Sequence, residues 1–282
     1  MNRNHWGLNV WLVLGMLFLY FPLVVLIIFS FNRSQLVEVW GGWSTHWYGV
    51  LIHDQSLLSA AWLSLRIGVS ASFLGVALGT LCAMVLKRYG YFRGRTFFYS
   101  MTLTPIVMPD VIIGLALLLL FVSLGKWIGI PRHYGFGTIL IAHTTFCAAY
   151  ATVIIQARIG ALDRSIEEAA QDLGAKPTKT FFWITLPQLI PSLIAAWLLC
   201  FTLSIDDVVI TSFVTGPGST TLPLYIFSTV KTGVTPEINA LATILIAIVG
   251  FCLLIATVAS FKAKKRPKKS LPTHGKLSQS KS

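Results

Sequence analysis

The chain has 282 residues, 55% of them hydrophobic and only 11% charged, with a mean hydropathy of +0.74. That balance excludes a water-soluble globular domain and places the chain in a lipid bilayer. The net charge of +12 would suit a nucleic-acid binder, but the charges cluster between apolar segments, which argues against one.

Six apolar segments, 10–31, 62–86, 103–125, 138–157, 189–214 and 239–261, are long enough to span. Each has about 20 residues or more, the length of helix that crosses the hydrocarbon layer. The first is too long for a signal peptide, and Phe29-Ser30-Phe31-Asn32 offers no small-residue cleavage site, so it reads as a retained span. Residues 32–61 carry Trp40, Trp43, Trp47 and Tyr48 among glycines, which suits an interfacial aromatic layer. Asn32-Arg33-Ser34 matches a glycosylation acceptor, a short pattern of little weight.

The third segment contains Pro105, Pro109 and Asp110. Two prolines four residues apart bend or break a helix and free backbone carbonyls, which is tolerated where the helix lines a cavity or packs on protein. Residues 126–137, with Trp127, Pro131 and Gly135, read as a turn-rich outer loop. His143 stands alone in the fourth segment and reads as a hydrogen-bonded packing residue rather than a ligand.

Residues 158–188 are the most polar stretch between two apolar ones. Ser165 and Glu168 have capping-box spacing, and Gly174 can take the left-handed conformation that ends a helix. Ile166, Ala169, Ala170 and Leu173 fall on one face, leaving Glu167, Gln171 and Asp172 for the others. The pattern predicts a short amphipathic helix. Either a protein outside the membrane holds it, or it rests on the chain's own spans or on lipid headgroups. The residues alone leave both open.

The fifth segment contains Asp206 and Asp207. Successive helix positions differ by about 100°, so the pattern predicts one acid facing a pathway and the other an interhelical partner. With Asp110 these acids sit in or beside apolar spans, at a cost of roughly 2.5–3.5 kcal/mol for an Asp at a helix centre. One reading is a negatively lined cation route. The other is structural: protonated acids, or acids paired with backbone groups or Arg66. Residues 215–238 form a third outer segment, in which Leu222–Val230 is too short to span and reads as a re-entrant or interfacial helix. Cys82, Cys147, Cys200 and Cys252 occupy separate spans and read as small buried hydrophobes.

Lys and Arg are unevenly divided between the two sides. Arg3, the 87–96 loop (Lys87, Arg88, Arg93, Arg95), the 158–188 loop (Arg158, Arg164, Lys176, Lys179) and the tail place seventeen on one side. Arg33, Lys126, Arg132 and Lys231 are the four on the other. This predicts both termini in the cytoplasm. The basic tail, with Pro267 and Pro272, reads as disordered and close to anionic lipid. No P-loop, H-E-x-x-H or Cys-x-x-Cys pattern occurs, so the expectation is no catalytic residue, no metal site and no ATP hydrolysis in this chain.

Glu168-Ala169-Ala170, three residues, Gly174, nine residues, Ile184, one residue and Leu186-Pro187 resemble the EAA signature of permease subunits of binding-protein-dependent ABC importers. The resemblance implies a type I ABC importer permease fold, in which Glu168, Ala169, Ala170, Gly174, Leu186 and Pro187 couple the chain to an ATPase. Phe201–Asp207, Phe213–Gly218 and Pro236–Thr243 resemble polyamine importer permeases. Trp40–Gly49 and Asp163–Ala170 are most similar to the putrescine permeases among them. The resemblance covers nearly the whole chain except the basic tail. It implies a second permease subunit, two ATPase subunits that bind ATP and Mg, a periplasmic polyamine-binding protein and a bacterial inner membrane. No cofactor is implied for this chain itself.

The expectation is therefore an all-α membrane protein with six transmembrane helices. Residues 1–61 supply the first helix and an outer loop, 62–261 the core with coupling loop 158–188, and 262–282 the tail. Asp110, Asp206 and Asp207 are the candidate substrate route. An ion-coupled secondary transporter would explain the acids but not a docking helix, and no inverted repeat is visible. An intramembrane aspartyl hydrolase would need Asp110 to complete a dyad that the adjacent Asp206 and Asp207 cannot form.

Overall fold

The computed structural model describes residues 6–36, 39–232 and 236–264, so most of the basic tail lies outside the described residues. The described residues are almost entirely helical and fall into two compact units. One contains α1 (Trp6–Phe29), the segment that follows it and α12 (Pro236–Lys264). There α1 packs on α12, and the Trp47 indole donates to the Asn32 carbonyl at 2.8 Å. Asn32 is buried, its side-chain oxygen accepting from the Ser34 and Gly41 amides and its Nδ2, the atom a glycan would take, donating to the Val39 carbonyl at 2.7 Å. The short α2 (His46–His53) leads toward the second unit.

The second unit, residues 52–234, is organised by α3 (Gln55–Arg88). Asp54 caps α3 by accepting from the Ser56 and Leu57 amides, and Lys87 and Arg88 sit in its last turn, where the helix dipole favours cations. Helix α3 lies against α6 (Phe136–Gly160) and α9 (Leu186–Asp206). Small residues make this packing close: a Cβ at Gly79 would lie 2.6 Å from the Ala151 Cβ. Glycine at such crossings lets membrane helices gain dispersion contacts where no hydrophobic effect drives them together. Ile67, Ile139, Ala142, Cys147, Ala151, Ile155, Leu189, Ala196 and Cys200 fill the core. The Cys147 and Cys200 thiols each donate to the other's carbonyl, at 3.6 and 3.3 Å, so they act as buried packing groups. The side chain of Cys252 lies outside the described residues.

Two expected spans are interrupted. The 103–125 segment divides into α4 (Arg95–Val107) and α5 (Asp110–Ile128). Met108, before Pro109, is extended at φ −79°, ψ 141°, the conformation that a following proline enforces. The break anticipated from the two prolines is therefore present, and Asp110 begins a helix rather than lying within one. The 189–214 segment breaks without a proline: α9 ends at Asp206, Asp207 is extended at φ −69°, ψ 126°, and α10 (Val209–Val214) follows.

On the side of α3's last turn, α7 (Ser165–Asp172) leads through α8 (Pro177–Thr180) and a π-helical turn, Phe181–Thr185, into α9. The Leu186 amide bonds back five residues to the Phe181 carbonyl. Pro187 has no amide to continue the normal ladder, which accounts for the wide turn before it. At the other end of α3, α11 (Leu222–Thr232) is anchored by its Leu222 amide on the Ser64 hydroxyl at 2.7 Å and by its Tyr225 hydroxyl on Asp54 at 2.9 Å.

Among the described residues, five helical stretches are long and apolar enough to cross a membrane: Gly7–Phe29, Gln55–Arg88, Asp110–Ile128, Phe136–Gly160 and Pro177–Asp206. Helix α12 adds a shorter apolar run, Pro236–Phe251, among the described residues.

Candidate functional site

The interruptions of the two expected spans meet. Asp110, Asp206 and Asp207 line one cavity of about 320 Å³ with Pro105, Phe146 and Tyr150. The sequence singled out the three acids, and the fold brings them together from α5 and the end of α9. Asp110 sits in the first turn of α5, where the helix dipole favours an anion. Asp206 is exposed to the cavity, and neither it nor Asp110 has a hydrogen-bond or ion-pair partner among the described residues.

Asp207 is committed elsewhere. Its carboxylate accepts from the Ile210 amide at 3.1 Å, the Thr211 amide at 2.7 Å and the Thr211 hydroxyl at 2.7 Å. It thereby satisfies the free N–H groups that begin α10. His143 closes the arrangement from α6. Its ring is fully buried, with Nδ1 2.7 Å from the Ser204 hydroxyl and Nε2 2.9 Å from the Thr211 hydroxyl and 3.4 Å from Asp207. His143 is thus a hydrogen-bonded packing residue that ties both sides of the break to α6.

These positions correct the geometric reason for the division between the acids and remove one of the partners that the structural reading offered. Asp207 is off the helix, so a 100° rotation between neighbours does not separate the two acids; the chain break does. Arg66 is not their partner: its guanidinium lies over the Phe136 ring, 5.1 Å from the centroid. Sequence reading missed the Ser204–His143–Thr211 bracket and the aromatic wall of Phe146 and Tyr150. Asp207 four residues before Thr211 was the one local signal of a helix start. A cavity with carboxylates and aromatic faces can attract a compact organic cation through charge and ring quadrupoles together.

The second candidate surface is α7 with its flanks. Gly174 ends the helix at φ +87°, with its amide bonded to the Gln171 carbonyl and the Ala175 amide to the Ala170 carbonyl at 3.0 Å. This double bond pattern is the left-handed helix stop expected of Gly174. The expected Ser165–Glu168 capping box does not form. Arg164 holds the N-cap position, and the Asp163 carboxylate accepts from the Ser165 amide at 2.9 Å. That bond holds Asp163 below the ordinary carboxylate pKa.

Helix α7 buries none of its residues, and Leu173 is 90% exposed. Glu168 and Ala169 face solvent, whereas Ala170 is half-buried. Ala170, Leu173 and Gly174 line an open cleft of about 590 Å³ with Lys179 and Trp183. Leu186 and Pro187 begin α9 and do not line this cleft. The inward group is Glu167, which pairs with Arg88 of α3 and accepts from the Thr185 hydroxyl at 2.8 Å. Sequence reading left Glu167 to a polar face because its partners are distant in the chain.

Helices long enough to cross a membrane, a cavity at two helix breaks and an exposed amphipathic helix between apolar stretches fit a membrane transport permease. Residues 75–265 match the family described as binding-protein-dependent transport system inner membrane component, and the chain belongs to that family. It is 54% identical over 264 residues, 94% of each chain, to the putrescine transport system permease protein PotI of Escherichia coli K12. It is 42% identical over 231 residues to the spermidine/putrescine permease PotC of the same strain, covering 82% of this chain and 85% of that one. A crystal structure of a bacterial ABC transporter involved in alginate import shares the fold, with a TM-score of 0.70 at 17% identity, covering 93% of this chain and 98% of that one.

Proposed function

We propose that the chain is a transmembrane subunit of an ATP-driven importer that moves putrescine, or a related polyamine, across the bacterial inner membrane into the cytoplasm. The observation that carries this reading is the 54% identity to a putrescine permease over 94% of both chains. The cavity lined by Asp110, Asp206 and Asp207 supports it. A diamine carries two ammonium groups, and Asp110 and Asp206 leave two carboxylates in that cavity to receive them.

In this reading α12 is the sixth span and both termini are cytoplasmic. Residues 1–61, 62–261 and 262–282 act as entry helix with outer loop, transport core and lipid-facing basic tail. A second permease subunit completes the path, a periplasmic polyamine-binding protein delivers substrate, and two ATPase subunits hold ATP and Mg. Catalysis resides in those subunits. Glu168, Ala169, Ala170 and Gly174 meet the ATPase, and Leu186 and Pro187 shape the entry into α9.

The test is uptake of labelled putrescine by the co-expressed complex in proteoliposomes. Uptake should require ATP and the binding protein, and should fall about tenfold or more in Asp206→Asn, a loss of roughly 1.4 kcal/mol or more in substrate interaction. Uptake that persists without ATP and follows an ion gradient would replace this reading with secondary transport.

A further inference from the structure

Helix α7 has no buried face, so its attachment to the spans rests on a few polar bonds. Arg164 donates to the Lys87 carbonyl at 2.7 Å at an exposed position. The other side-chain tie among the described residues is the partly buried carboxylate of Glu167. One of its oxygens receives both the Arg88 guanidinium, from the last turn of α3, and the Thr185 hydroxyl, from the π-helical turn that feeds α9. Thr185 is buried, and the side chains of Arg88 and Glu167 are 13% and 15% exposed. A charge-assisted pair with this little solvent is stronger and more directional than a surface ion pair.

The three tied elements lead to different places. Helix α3 runs back from Arg88 to Ser64, whose hydroxyl accepts from the Leu222 amide at the start of α11. Helix α9 runs to Asp206 at the acidic cavity. Beside α7 lies an open cavity of about 360 Å³ lined by Arg88, Arg164, Glu167, Glu168 and Gln171 together with Met84 and Phe181, so α7 is not close-packed on the spans there.

We infer that Glu167, held by Arg88 and Thr185, is the latch through which a movement of α7 is passed to α3 and α9, and so to the acidic cavity. The inference rests on the reading that α7 docks on the ATPase. Glu167 faces the spans rather than the docking side, so it positions and does not dock. Without the latch, α7 can still bind its partner, but its displacement is taken up in the cavity beside it. ATP is then hydrolysed without a matching movement of α9.

The experiment compares wild type with E167Q, E167D, R88Q and the double variant R88Q/E167Q in the reconstituted complex with its binding protein. Three quantities are measured: ATPase recovered with the chain, ATP hydrolysed, and putrescine imported per ATP. Loss of a coupling contact between sites is expected to lower import per ATP roughly fivefold or more in E167Q and R88Q. The double variant should be no worse than either single, E167D should recover part of the loss, and ATPase recovery should match wild type. A parallel fall in hydrolysis and import, with import per ATP unchanged, would make the contact merely structural and overturn the inference. So would wild-type import per ATP in E167Q and R88Q. If E167Q yields no complex, T185V removes one bond without stranding a charge, and an unchanged import per ATP there overturns it equally. Absence of the ATPase from the purified wild-type chain would refute the docking reading itself.

Discussion

A carboxylate that already accepts several hydrogen bonds has little capacity left for a ligand. Asp207 takes two amides and a hydroxyl and faces His143, whereas its neighbour Asp206 takes none of these. The two should therefore fail differently. Asp206→Asn should reduce putrescine uptake with little change in the thermal stability of the complex. Asp207→Asn loses an acceptor at a nearly buried site, at a cost of about 1–3 kcal/mol, and should lower both stability and recovery. His143→Ala should resemble Asp207→Asn, because it removes the bridge between Ser204 and Thr211. Melting of the purified complex beside uptake separates the two classes; equal stability of the Asp206 and Asp207 variants would contradict the assignment. The importance of these acids is legible in sequence, since a charge in an apolar span demands a reason. Their division of roles is not, because it depends on a chain break and on a histidine in another helix.

At the scale of elements, what is local in the chain could be read and what is closed by distant contacts could not. The end of α7 was readable because Gly174 supplies the left-handed residue by itself. A Cβ there would meet open space, so substitution strains only the backbone, by roughly 1–2 kcal/mol for an L residue and more for a β-branched one. Gly174→Val should weaken co-purification of the ATPase while leaving the chain inserted, and Gly174→Asn should retain most of it, because Asn tolerates this conformation. A Val variant that binds and transports normally would exclude a docking role for this turn. The start of α7 was misread because Asp163 competes for the Ser165 amide. The α4–α5 break follows from Pro109, but the α9–α10 break has no proline and is closed by His143 from α6. The close crossing of α3 and α6 at Gly79 and Ala151 also needed the tertiary structure, since nothing local tells which glycine meets a neighbour. Gly79→Val should force these helices apart and destabilise the unit, by the roughly 1–3 kcal/mol typical of overpacking, read as a lower melting temperature.

Over the whole molecule, the proposed orientation rests on charge and not on packing. The two ends of residues 52–234 differ in kind: one carries α7, Arg88 and the basic 87–96 loop, and the other carries the turn around Gly218 that leads to α11. In the proposed six-span topology seventeen Lys and Arg residues fall on the side of α7 and the tail, against four on the opposite side. Translocating a short loop rich in Lys and Arg is unfavourable, which is why the proposed topology puts the α7 side in the cytoplasm. In a variant lacking the native cysteines, single cysteines at Arg93 and at Lys269 should react with an impermeant maleimide only after the cytoplasmic face is opened. One at Lys126, in the last turn of α5, should react in intact cells. The probe at Lys269 also tests α12: only if α12 crosses the membrane, as the sixth span, do residues 93 and 269 share a side. Labelling of Lys269 from outside, with Arg93 still inside, would leave the core orientation standing and remove the sixth crossing. Labelling of Arg93 from outside would invert the molecule and turn α7 away from any cytoplasmic ATPase.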